Sequence, residues 1–163
     1  MSTGEATTGA KTEPLFTRII SGGQTGVDRA VLDVALALGL PCGGWCPRGR
    51  RAEDGPIDAR YPLRETPWDG YPQRTEWNVR DADGTLVLTN GVADRGTAFT
   101  IRTAQRYGKP CLVLDLAGSP TPEEVRTWAR TQGVRVLNVA GPRESSAPGI
   151  YARASAFLHQ LLT

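Results

Sequence analysis

Two apolar patterns alternate along the chain. Short apolar runs bounded by glycine or polar residues predict strands at Phe16–Ser21, Leu40–Gly44, Thr85–Thr89, Cys111–Leu116 and Val134–Val139. In the first, the pair Ile19-Ile20 suggests burial on both faces, as in a parallel sheet. Pro41 pushes the second toward the start or the edge of the sheet. Between the strands, apolar residues recur at helical spacing. Gly26–Leu38 buries Val31, Leu32, Val34 and Ala35 and stops at Gly39. Pro72–Ala82 carries proline near its first turn and turns Trp77 inward. Thr97–Tyr107 closes at Gly108. A helix opening at Ser119–Glu124, with hydroxyls to cap it and acids in its first turn, runs to Gln132 and stops at Gly133. Pro148–Leu162 closes the chain, with Ile150, Ala154, Phe157, Leu158 and Leu161 on one face.

Strands alternating with helices predict a three-layer α/β fold, Rossmann-like, with a mostly parallel sheet flanked by helices. Patterning stops between Trp45 and Tyr71, where four prolines and five arginines surround one short strand near Leu63–Thr66. A loop this long inside a domain is a functional wall or a surface insertion, and the glycine, tryptophan and arginine at its start favour function. Residues 1–14 lack an apolar core and are expected to form a disordered leader, leaving one ligand-binding domain over 15–163. No apolar run is long enough to cross a bilayer.

Ligands of such sheets bind at the carboxyl ends of the strands, and two glycine-containing turns fall there. The first is Gly22-Gly23-Gln24-Thr25-Gly26, leading into a helix that opens with Asp28 and Arg29. Its glycines and free N–H groups suit a phosphate, although a tight turn without a ligand reads the same way. The second runs from Asn90 to Thr97, where Gly96 and Thr97 offer backbone and hydroxyl donors. The two turns face each other if the first and fourth strands are neighbours. Gly43, Gly44 and Trp45 form a further wall, with Trp45 either stacking on a flat ring or plugging the core. Arg48, Arg50 and Arg51 either clamp an anion or belong to a solvated loop. Asp28, unfavourable beside phosphate, fits a donor edge of a heterocycle or the helix start. Glu76, Asn78, Arg80 and Asp81 share one helix, and Asn138 with Gly141–Ser145 reaches toward the rim.

Charge and cysteines narrow the classes. A net charge of +2 argues against a general nucleic-acid binder, yet all basic residues except Lys11 and Lys109 are arginine. Arginine suits bidentate recognition of phosphate or carboxylate, though a GC-rich genome produces the same bias. Three cysteines without a framework fit a reducing cytoplasm. Cys42 and Cys46 make half a zinc site with no second half nearby, so buried thiols are the better reading. Catalysis has little support: His159 stands alone in the last helix, and no Ser–His–Asp set or carboxylate pair stands out.

The stretches SGGQTGVDRAVLD, CGGWCPRGRRAEDG, QRTEWNVRDADGTLVLT, RGTAFT, GKPCLVLDL and LNVAGPRES-PGIY resemble the molybdenum carrier family. That family is similar to the wider Rossmann-like group of lysine-decarboxylase-like and cytokinin-activating phosphoribohydrolase proteins. The resemblance runs from Ile19 to Leu162. It implies a carrier that stores or delivers the molybdenum cofactor, a phosphorylated pterin whose own sulfurs hold the metal, with no metal site on the protein. It implies a homo-oligomer whose partners are molybdoenzymes or cofactor-biosynthesis proteins, with no nucleic acid or membrane. Taken with the residue readings above, the cofactor contacts expected are Gly22, Gly23, Gln24, Thr25, Gly26, Arg29, Gly44, Trp45, Arg48, Arg51, Arg95, Gly96 and Thr97. In the hydrolase relatives the second turn resembles PGGxGTxxE, and here Thr100 stands where the catalytic glutamate would be. Carrier-family members more often show two glycines before this threonine, and Arg95 replaces the first of them, either crowding the ligand or adding a positive charge to it. The expectation is therefore binding without catalysis. The alternative is a nucleotide sensor or a phosphoribohydrolase-like enzyme acting on nucleoside monophosphates.

Overall fold

The computed structural model describes residues 14–91 and 94–163. The leader expected over residues 1–14 therefore lies outside the described residues except for Pro14, as do Val92 and Ala93 in the second turn. The apolar runs become strands β1 (Arg18–Ile20), β2 (Cys42–Gly43), β5 (Gly84–Thr89), β6 (Cys111–Asp115) and β7 (Val136–Ala140). They form one sheet, all pairings parallel, in the order β2-β1-β7-β5-β6. Strands β3 (Trp45–Cys46) and β4 (Arg64–Glu65) make a separate parallel pair that anchors the long loop. The helices are α1 (Val27–Leu38), α2 (Tyr71–Asp81), α3 (Arg95–Arg106), α4 (Pro122–Gln132) and α5 (Ile150–Leu162). No helix among the described residues is long and apolar enough to cross a membrane.

The pleat sends alternate residues to opposite faces. Ile19, Leu86, Leu88, Leu137 and Val139 pack with Val27 and Val31 of α1, Val125 and Ala129 of α4, and Ile150, Ala154 and Leu158 of α5. Their neighbours in sequence, Thr85 and Asn138, are buried on the other face, where α3 packs on β5 and β6 and α2 packs in turn on α3. This second interface is polar: α3 buries Thr97, Thr100 and Thr103, and α2 buries Asn78. A sheet with helices on both faces is the three-layer arrangement expected from the alternating pattern.

Two expectations need correction. The strands ahead of the glycine turns, β1 and β5, are not neighbours, because β7 lies between them, with Ile20 beside Asn138 and Thr85 also beside Asn138. Pairing between strands distant in sequence is set by the finished core, which local pattern cannot report. Trp77 does not turn into the main core. It is half-buried and meets the Trp45 ring edge to face at 4.7 Å, while Asn78 and Val79 are the buried residues of α2.

Candidate functional site

The first glycine turn is closed mostly by the protein itself. Gly23 N–H donates to Ser21 Oγ at 3.2 Å, and Val27 N–H donates to the Pro142 carbonyl at 3.3 Å. Thr25 Oγ donates to Glu53 and accepts from Glu144 N–H at 3.0 Å. Arg29 pairs with Asp54 at 3.0 and 3.1 Å and donates to the Gly23 carbonyl at 3.0 Å. Gly23 backs onto Ile57 and Leu63, and Gly26 onto the Pro142 carbonyl. The long loop is thus the buttress of this turn. Arg50 holds the loop in shape, donating to the carbonyls of Ile57, Asp58, Tyr61 and Leu63 at 2.7–3.2 Å.

What remains open is a cavity of about 270 Å³ at the carboxyl ends of β1, β7 and β5. Gly22, Gln24 and Asp28 form one wall, Tyr71, Arg74, Thr75 and Asn78 of α2 a second, and Asp94, Arg95, Gly96 and Thr100 a third. Asn138, Gly141 and Arg143 line the end of β7 and the turn after it. Both glycine turns therefore reach one crevice across β7, although their strands do not touch.

Of the residues expected to bind, Gly22, Gln24, Arg95 and Gly96 line this cavity. Gly23, Thr25, Gly26 and Arg29 lie behind it. Gly44 sits against the Ser21 carbonyl. Trp45 packs on Trp77 and donates from Nε1 to Asp81 at 2.8 Å. Arg48 is exposed and Arg51 stacks on Tyr71 at 4.7 Å beside the cavity. Thr97 is buried, and its hydroxyl has no partner among the described residues. At the start of α3 the Asp94 carboxylate accepts from Thr97 N–H at 2.8 Å, so that helix end already holds a negative charge. Thr100 lines the cavity, its hydroxyl donating to the Gly96 carbonyl at 3.1 Å.

A cluster of cations beside the cavity joins Arg51, which was expected there, to Arg143 of the Gly141–Ser145 turn and to Arg74, which the sequence did not single out. Three guanidinium groups surround the Tyr71 ring: Arg51 at 4.7 Å, Arg74 at 5.2 Å and Arg143 at 5.4 Å. Arg143 has no carboxylate within ion-pair distance among the described residues. Arg74 is largely but not fully buried, its side chain 12% exposed, with Nη1 at 3.6 Å from Asp28 and at 3.4 Å from the Gly22 carbonyl. A Cβ on Gly22 would lie 2.5 Å from Arg74 Cδ, so this glycine makes room for the arginine. A guanidinium has five N–H donors, which leaves the rest of the Arg74 fork for a ligand. One signal was available: arginine in the first turn of a helix opposes the helix dipole and needs an acidic or anionic partner from elsewhere.

Burial lifts the Asp28 carboxyl from 3.8 to about 6, against the pull of Arg74 and Arg29 and the Gln24 N–H, with Asp94 adding a further push upward. Burial likewise lowers the Arg74 guanidinium, and Asp28 opposes that. An acid with a raised folded pKa binds its proton more tightly when folded, so its ionisation weakens folding as pH rises. The shift corresponds to about 3 kcal/mol, present in full above pH 6 and relieved below 3.8. Urea titrations of wild type and Asp28→Asn should show wild type gaining on the variant by up to this amount between pH 7 and pH 4. A constant difference across that window would show that Asp28 is not held in its raised state.

No group of three His, Cys, Asp or Glu among the described residues could hold a metal ion. Cys42 and Cys46 lie off the cavity, their thiols pushed up by burial.

The model of the circularly permutated YpsA SLOG family matches residues 19–162. A crystal structure at 1.45 Å resolution, named putative molybdenum carrier protein from Syntrophus aciditrophicus SB, is similar over nearly the whole chain. It is 42% identical, with a TM-score of 0.88, covering 94% of this chain and 99% of that one. None of the curated proteins matches this sequence.

Proposed function

Since the chain belongs to the circularly permutated YpsA SLOG family, we propose that it is a carrier holding the phosphorylated pterin of the molybdenum cofactor without chemical change. One observation carries this reading: Arg74 and Arg143 flank Tyr71 at the cavity, and among the described residues Asp28 is the single carboxylate in ion-pair contact with either. Such a cluster holds a dianionic phosphate by charge-assisted, fork-shaped hydrogen bonds. The name of the solved relative supports the cargo. The metal travels on the sulfurs of the cargo, and the protein contributes the anion clamp and the walls. The Thr100 hydroxyl, engaged by the Gly96 carbonyl, supports holding over turnover. Three free cysteines support a reducing cytoplasm, where molybdoenzymes or cofactor-biosynthesis proteins receive the cargo from a homo-oligomer.

The test is protection of the isolated cofactor from air, read as reconstitution of an apo-molybdoenzyme. Wild type is expected to extend the lifetime of the cofactor, and Arg143→Ala to remove most of that effect. Equal protection by both proteins would place the cargo elsewhere. A second reading, a phosphoribohydrolase-like enzyme, is favoured by Asp28 alone: an acid near pKa 6 in a cavity suits proton donation to a leaving base. Release of free base from nucleoside monophosphates, lost in Asp28→Asn, would establish it in place of the carrier.

A further inference from the structure

Gln24 and Asp28 are both buried, 5% and 7% exposed, and line the same wall of the cavity. Gln24 Oε1 accepts from Thr25 N–H at 3.0 Å and from Glu53 N–H at 2.9 Å. Those two donors fix the amide orientation. Nε2 is left as a pure donor with no partner among the described residues. An orphaned donor in a buried side chain is costly, which points to a partner supplied from outside the chain. The Asp28 carboxylate meets Arg74 at 3.6 Å, beyond hydrogen-bond length, and otherwise accepts from the Gln24 N–H. It keeps acceptor capacity for two further donors.

From this juxtaposition we propose that Asp28 and Gln24 read the amino–oxo edge of a 2-amino-4-oxopyrimidine ring, the edge common to pterins and guanine. This rests on the phosphorylated-ligand reading above and says which end of the ligand lies where. That edge presents a ring N–H and an exocyclic amine, which the carboxylate accepts side by side, and a carbonyl, which the Gln24 amide donates to. Adenine presents an amine where the carbonyl should be and no ring N–H. Hypoxanthine lacks the exocyclic amine. A phosphate is repelled by Asp28 and goes to the Arg143 end, so ring and phosphate sort themselves by charge.

Calorimetric titration of the full chain at pH 7.5 with GMP, neopterin monophosphate, IMP, AMP and inorganic phosphate tests this. GMP and neopterin monophosphate are expected to bind at least about tenfold more tightly than IMP or AMP, since unmet buried hydrogen bonds discriminate strongly. The tighter of the two names the natural ring. Asp28→Asn should close the gap between GMP and IMP while inorganic phosphate binds at least as well, a negative charge having been removed. Gln24→Glu keeps the acceptor for Thr25 and Glu53 and should move preference from GMP toward AMP; its melting curve and that of Asp28→Asn confirm folding. Esters that bind equally well whatever their ring would overturn the edge assignment and leave the phosphate clamp standing. If neither esters nor phosphate bind, both fall.

Discussion

Arg74→Met is expected to weaken binding of phosphate esters by about a hundredfold and to destabilise the fold by about 3 kcal/mol at pH 8. Two losses combine. The anion loses the fork that faces it, and Asp28 loses the cation that opposes its burial. The second loss carries its own pH signature. Without Arg74 the Asp28 carboxyl rises further above its unfolded value, so the variant should recover stability as pH falls and Asp28 takes up its proton. Arg74→Lys separates the effects: it retains a charge for Asp28 but not the planar fork, and should restore stability more than affinity. Urea titrations at pH 8 and pH 5, with calorimetry of phosphate esters, check both. An Arg74→Met protein that binds as wild type would remove Arg74 from the site.

Gly26→Ala is expected to cost at least about 3 kcal/mol, a fall in melting temperature of roughly 10 °C. Gly26 has φ +80°, where an L residue is strained, and its Cβ would lie 2.3 Å from the Pro142 carbonyl and 2.9 Å from Glu144 N. Both neighbours are backbone and cannot swing aside. The displaced segment carries Arg143, so ester affinity should fall along with stability. Gly39 is the control. It has φ +71° but nothing within 4 Å of its Cβ, and alanine there should cost only about 1–2 kcal/mol. Equal melting shifts for the two variants would mean that the Pro142 contact is unimportant.

These two cases show what local pattern can and cannot report. Ile19-Ile20, Leu86–Leu88 and the spacing of Ile150, Ala154 and Leu158 were legible because burial on a strand or helix leaves a period of its own. A glycine announces a close approach without naming what approaches. At Gly22 it is an arginine from α2, and at Gly26 a carbonyl 116 residues further on. Arg74 carried only a faint signal, since its role depends on Asp28, Tyr71 and Arg143 meeting in space. Trp45 and the loop arginines looked like ligand contacts because aromatic and basic residues in a long loop commonly are. Here Arg50 and Trp45 satisfy carbonyls and a carboxylate of the protein.

The placement of β7 has a consequence for biosynthesis. The sheet is assembled from two wings, β2-β1 and β5-β6, that share no pairing until residues 136–140 slide between them. A nascent chain emerging from the ribosome thus holds two unjoined half-sheets, each with a raw inner edge, until residues 136–140 are available. Shielding by a chaperone would matter most in that interval, and the crevice seated on the end of β7 takes shape only once that strand is in place.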